Sequence, residues 1–315
     1  TGCGNTVNCN HPVVRSLIRD SLHHWVTEMH VDGFRFDLAS VLGRDADGKL
    51  LDNPPLIELI TEDPVLRDTK LIAEAWDAAG AYQVGSFPGT RWSEWNGRYR
   101  DDVRRFWRGD EGLAGAFATR ISGSSDLYQV GGRSPCHSVN FVTSHDGFTL
   151  ADLVAYSRKH NEDNGEGNAD GCDHEFSDNG GEEGPTEDGE IREIRRRQVR
   201  NMLATVLLSQ GVPMLLAGDE MGRSQGGNNN AYCHDDEMTW FDWRLTRDHA
   251  DLHRFVRELI TLRRDHPALH RSTFLDGQPP DRPDVIWFGP DGGRPRWEDP
   301  DARELACVLE SADPA

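Results

Sequence analysis

Three short apolar runs of this chain end in carboxylates. VDGFRFDLAS carries Asp37, LIAEAW carries Glu74 and NFVTSHDG carries Asp146. Side chains alternate along an extended chain, so Gly33, Arg35 and Asp37 share one face and Phe34, Phe36 and Leu38 the other. A buried Arg–Asp pair is expensive unless well satisfied. Two readings follow: a structural salt bridge, or an arginine that keeps Asp37 ionised and aimed as a nucleophile. Glu74 lies between Ala73 and Ala75. Desolvation there raises a carboxyl pKa and suits a general acid; the plainer reading is a core glutamate paired with an arginine. His145 and Asp146 stand where alternation gives way to loop, placed for ligand hydroxyls or for capping.

Three strand-end carboxylates with an Arg and a His meet the needs of glycoside hydrolysis. One carboxylic acid protonates the leaving oxygen, and a second attacks the anomeric carbon from about 5–5.5 Å away in retaining enzymes. A third supports the oxocarbenium-like state. A carboxylate metal site, such as an enolase-type magnesium site, draws on the same residue types, and spacing does not separate the two.

The elements that must hold these residues read as alternating helices and strands. Residues 13–30 carry an apolar stripe at helical period, from Val13 and Val14 through Leu17, Leu22 and Trp25 to Met29. Strands are expected at 31–38, 71–76, 138–146 and 212–220. Helices are expected near 54–62, 101–109, 111–119, 149–159, 191–210 and 251–266, and 77–98 reads as loop. The acidic, Gly-rich stretch 161–190 reads as a disordered segment or a functional loop. After Pro267 the runs 284–289 and 304–311 suggest the start of a small β domain, which divides the chain into 1–266 and 267–315. Apolar strands alternating with helices fit an α/β fold, either doubly wound or a (β/α)8 TIM barrel. No dinucleotide or nucleotide-binding glycine motif is present. Asp37, Glu74, Asp146 and the Asp219–Glu220 pair all fall at C-terminal strand ends, which meet at one mouth in a barrel.

Composition narrows the partners. There are 34 basic and 54 acidic residues, a net charge of −20, which repels nucleic acid and anionic membrane surfaces. No apolar run reaches the length of a membrane helix. The six cysteines include no Cys-x-x-Cys pair, so neither a zinc site nor a disulfide scaffold is expected. A reducing cytoplasm is the plain reading. No cofactor is expected, and the acidic loop lacks EF-hand spacing for calcium.

VDGFRFDLAS, LIAEAWD and NFVTSHDGFTL resemble three strand-end motifs of glycoside hydrolase family 13, the α-amylase superfamily. TGCGNTVN, WSEWNGRYRDDVRRFWRGD, RRRQVRNMLATVLLSQGVPMLLAGDE and GNNNAYCHDDEMTWFDW resemble glycogen debranching enzymes of the isoamylase type. The resemblance runs over nearly the whole chain, with the motifs in order. It implies that Asp37 is the nucleophile held by Arg35, that Glu74 is the acid/base, and that Asp146 stabilises the transition state while His145 contacts the sugar in the −1 subsite. The reaction implied is hydrolysis of α-1,6 branch linkages in glycogen or limit dextrin, with retention. Trp76, Phe87, Trp92, Trp95 and Tyr99 are candidate sugar platforms, against ordinary loop packing. Asn228, Asn229 and Asn230 are read as hydroxyl ligands or, more plainly, as turn formers. Asp219 and Glu220 are expected to be structural or outer-subsite residues.

The chain departs from the family pattern in what it lacks. The N-terminal β-sandwich, barrel strands one to three and the Asp-x-x-x-x-Asn-His motif are absent, leaving an incomplete barrel of strands four to eight and the start of a C-terminal β domain. The expectation is an incomplete enzyme that needs the missing N-terminal half and has little activity alone. The competing expectations are an α-glucan transglycosylase, a trehalose-forming relative, an inactive glucan-binding fragment and a decayed reading frame.

Overall fold

A computed structural model describes residues 5–277 and 283–310. Five strands form one sheet in the order β1 (Gly33–Phe36), β2 (Lys70–Ala73), β3 (Ser93–Trp95), β4 (Ser138–Asn140) and β5 (Val212–Pro213). β1–β2, β2–β3 and β3–β4 pair in parallel. A doubly wound sheet reverses its strand order at a switch point. Here each strand lies beside the next in sequence, the order of a (β/α)8 barrel, so the α/β sheet is an incomplete barrel. Gly33 is required by close approach, since a Cβ there would lie 2.8 Å from Lys70 Cβ.

β3 falls inside 77–98, which the sequence reads as loop. Its three residues, Ser-Glu-Trp, contain no apolar run, and pairing on both sides rather than propensity makes them a strand. The other four strands end earlier than expected, at Phe36, Ala73, Asn140 and Pro213, where the chain leaves the sheet pairing. The helix expected at 149–159 is helical only over Leu150–Leu153. Beyond it the carbonyl of Ala155 accepts from Gly184 N, and Ser157 N donates to the Glu183 carboxylate, so loop partners replace helical ones.

The chain divides into two compact units: one through Asn96 with Ser124–Val139, the other Gly97–Gly123 with Asn140 onward. This division differs from the expected boundary at 266/267, and the antiparallel pair β6 (Val285–Phe288) and β7 (Ala306–Leu309) lies in the second unit. In the first unit, α1 (Pro12–Thr27) starts with Pro at its first turn, where the missing N–H loses nothing. Of its stripe Leu22 is buried, while Val13, Leu17 and Trp25 are exposed. α2 (Pro55–Glu62) buries Leu56, Ile57 and Ile60. Trp92 fills the space between Phe36 and Phe87, at ring separations of 4.8 and 5.2 Å.

In the second unit, α3 (Gly97–Arg108), α4 (Ala114–Ile121), α5 (Gly189–Leu208) and α6 (Ala250–Asp265) share one apolar core. Tyr99, Phe106, Phe117, Leu203, Val206 and Val256 are among its members, with Phe106 and Phe117 stacked at 3.8 Å. β5 continues into Met214, whose N–H donates to Asn140 O at 2.8 Å.

Candidate active site

In the first unit β1 and β2 deliver their polar ends to one place. Arg35 Nη1 donates to Asp37 Oδ1 at 2.6 Å, and its Nη2 forms an ion pair with Glu74 Oε1 at 3.0 Å. The guanidinium also lies over the ring of Trp95, 4.2 Å from its centroid. Two carboxylates on one guanidinium are no further apart than the width of that group plus two polar contacts. Three acceptors of its charge, two carboxylates and a π face, explain how this half-buried arginine is tolerated.

The two acids differ in environment. The Glu74 side chain is 2 % exposed and that of Asp37 is 68 % exposed. The plainer sequence reading of Glu74, a core acid paired with arginine, is correct about its partner, and that partner is the arginine that grips Asp37. A second hold on Glu74 is invisible in the sequence: Leu38 N donates to Glu74 Oε2 at 2.7 Å. Leu38 makes this contact from a left-handed backbone, φ 42°. For a leucine that conformation costs roughly 1–2 kcal/mol, and strain of this kind collects where a fixed geometry is needed. The turn sits directly after Asp37, so it both ends the strand and ties the two acids together.

The aromatic candidates separate. Trp95 and Trp76 are half-buried, and Trp76 stacks on the half-exposed Tyr82 at 6.2 Å. Trp92 is a correction: it is fully buried among Phe36 and Phe87, its indole N–H donates to Thr61 Oγ1, and it has no face to offer a sugar. Phe87 is buried against it. Tyr99 is likewise buried, with its hydroxyl on Ser209 Oγ at 2.8 Å.

The second unit holds His145 and Asp146, whose side chains are 54 % and 70 % exposed, with His145 Nε2 3.6 Å from Asp146 Oδ1. Asp219 is buried beneath the same segment. It accepts from the Thr143 hydroxyl and, at 2.9 Å, from Leu150 N, and so brackets the turn. Burial pushes its carboxyl up to about 7. Glu220 accepts from Gly218 N. Both are engaged in holding backbone and neighbouring side chains. Asn228 and Asn229 are buried. Asn228 donates to Asn164, Asn229 exchanges hydrogen bonds with Asn161, and Asn230 donates to Asp170. These asparagines pin the acidic 161–190 loop, the turn-forming reading extended to a neighbouring loop. Among the described residues no cluster of three or more His, Cys, Asp or Glu is arranged to hold a metal.

Isoamylase 3 of rice, a chloroplastic protein, is 53 % identical over 311 residues, covering 98 % of this chain and 38 % of that protein. A glycogen operon protein GlgX homolog of Mycobacterium bovis is 52 % identical over 305 residues, covering 95 % of this chain and 42 % of its own length. The chain belongs to the isoamylase and GlgX debranching-enzyme family of glycoside hydrolase family 13. It spans about two fifths of the length of these curated relatives. Among solved structures, the pullulanase of Bacillus acidopullulyticus matches with a TM-score of 0.68 at 26 % identity, over 92 % of this chain and 32 % of that one. A variant pullulanase of Paenibacillus barengoltzii in complex with maltotetraose matches with a TM-score of 0.64 at 27 % identity, over 93 % and 44 %. No family model matches the chain.

Proposed function

We propose that this chain supplies the nucleophile and the acid/base of a retaining hydrolase that cleaves α-1,6 branch linkages in glycogen or its limit dextrin. The observation that carries the reading is the single guanidinium of Arg35 bridging Asp37 and Glu74. A retaining glycosidase needs two carboxyl groups in fixed proximity, one open to the anomeric carbon and one able to hold a proton. The exposed Asp37 suits the first task and the enclosed Glu74 the second.

In the first step an Asp37 oxygen bonds to the anomeric carbon, the bond to the branch oxygen breaks, and Glu74 gives that oxygen its proton. In the second, Glu74 takes a proton from water, the water oxygen bonds to the anomeric carbon, and Asp37 leaves. Arg35 balances the charge of Asp37 before attack and after release. Asp146 stabilises the oxocarbenium-like state, His145 contacts the sugar, and the half-buried Trp95 and Trp76 form ring-stacking walls. The partner is an α-glucan, in the cytoplasm. Activity requires the remainder of the polypeptide that the relatives carry. The malto-oligosaccharide in a related pullulanase supports the substrate class.

The test is chain release from glycogen β-limit dextrin. A polypeptide carrying this chain at its relatives' full length should liberate short linear malto-oligosaccharides. The 315-residue chain alone should liberate few. Enlarged transfer products from malto-oligosaccharide would favour a transglycosylase instead. Glucan binding without turnover by the longer polypeptide would sink the hydrolase reading.

A further inference from the structure

The acidic loop 161–190 contains one charged pair that exposed loops do not build. Arg104, on α3, is 2 % exposed and Glu175 is 8 % exposed. Arg104 Nη1 donates to Glu175 Oε2 at 2.7 Å and to Glu175 O at 2.8 Å, while its Nε donates to Val142 O at 2.7 Å. One guanidinium thus joins a helix, the chain leaving β4 and the loop. The other oxygen of Glu175, Oε1, accepts from Asn229 Nδ2 at 2.9 Å. Asn229 is itself buried, and its backbone carbonyl accepts from Gly147 N at 2.9 Å. Gly147 follows Asp146 in the chain and has φ 118°, a backbone open to glycine. A Cβ on it would stand 3.1 Å from both carboxylate oxygens of Glu175.

Three buried polar groups therefore converge on the peptide that follows Asp146. Burying an ion pair is expensive, and its retention needs a reason such as fixing one geometry. Asp146 itself is exposed, and its carboxylate faces His145 at 3.6 Å, a long contact that cannot set its direction. The backbone must do so. We infer that Glu175, clamped between Arg104 and Asn229, is a positioning residue that fixes the Asp146 turn, so that the acidic loop serves as a buttress for transition-state stabilisation. The inference rests on the reading of Asp146 as the transition-state carboxylate.

The experiment is a double-mutant cycle in the polypeptide at its relatives' full length, with limit dextrin as substrate and kcat counted per folded molecule from a thermal melt. Glu175→Gln keeps the shape but removes the charge. It should lower kcat about 100-fold, the scale of a misplacement near 1 Å, with KM little changed. Asp146→Asn should lower kcat further, and the double variant should match Asp146→Asn alone, because Glu175 acts only through Asp146. A residue that merely stabilises the loop would lower the melting temperature and leave kcat per folded molecule unchanged. If Glu175→Gln fails to fold, Glu175→Asp decides: it keeps the charge opposite Arg104, withdraws from Gly147, and should give a smaller loss in the same direction. Unchanged kcat, or losses that multiply in the double variant, overturns the inference. Full activity of Asp146→Asn would instead remove the role of Asp146, an outcome distinguishable because it appears in the single variant.

Discussion

Asp37 and Asp146 are nearly equally exposed, at 68 % and 70 %, yet they are held in opposite ways. Asp37 is gripped by its own side chain, through Arg35 two residues earlier. Asp146 is held through its backbone, by buried groups far away in the sequence that fasten Gly147 and bracket the turn at Thr143 and Leu150. A side-chain grip sets both direction and charge. A backbone grip sets direction and leaves the carboxylate free for a ligand. In the proposed mechanism the nucleophile needs its charge balanced between steps, whereas the stabiliser needs only to be in place.

The largest effect is expected from removing the gripped acids. Asp37→Ala or Glu74→Ala should reduce kcat on limit dextrin by at least on the order of 10³, while circular dichroism remains near that of the parent. A variant retaining a tenth of the rate would end the assignment. A second pair of variants targets what lies behind and in front of the gripped pair. Trp92→Ala should destabilise the first unit by roughly 3–5 kcal/mol, since it empties a filled core site. Trp95→Ala, which removes a half-buried ring and one contact of Arg35, should cost the first unit less stability than Trp92→Ala and raise KM. A thermal melt beside steady-state kinetics separates them, and the reverse pattern would restore Trp92 as a sugar platform.

The third alters the grip itself. Arg35→Lys keeps a charge but cannot span two carboxylates as a planar fork. We expect kcat on limit dextrin, measured in steady state, to fall by on the order of 10- to 100-fold, because Asp37 and Glu74 lose the common partner that fixes their geometry. The smallest effect belongs to the backbone-held region. The folded carboxyl of Asp219 lies at about 7, above its ordinary 3.8. Its contribution to stability is complete below the unfolded value. It is lost as pH rises through the folded one, because the folded chain keeps a proton that the unfolded chain releases. Melts across pH 4–8 should therefore show Asp219→Asn gaining on the parent as pH rises, and parallel curves would contradict this.

Much of the first region was legible because its parts are local. Arg35 and Asp37 share a face by alternation, and Glu74 stands out as a charge in an apolar strand. What stayed hidden was the cross-strand part: that Arg35 also reaches Glu74, and that the Leu38 N–H turns back to it from a left-handed backbone. β3 escaped because three residues carry no period. Trp92 misled because an indole in a Trp- and Gly-rich segment reads the same whether it faces ligand or core. The Glu175 buttress was illegible for a stronger reason: Arg104, Gly147, Glu175 and Asn229 come from four separate segments, and an acidic Gly-rich composition describes solvated loops as well as clamped ones.

In the proposed mechanism Asp37 forms the covalent bond. This is tested most directly by trapping that bond. The Glu74→Gln variant of the longer polypeptide, which should form the intermediate from an activated glycosyl fluoride but hydrolyse it slowly, is treated with 5-fluoro-α-glucosyl fluoride, digested with trypsin and sequenced by mass spectrometry. A glycosyl ester is expected on the Phe36–Arg44 peptide, at Asp37. A label on Asp146, or an unlabelled protein that releases the β-anomer from the branch point, would contradict it.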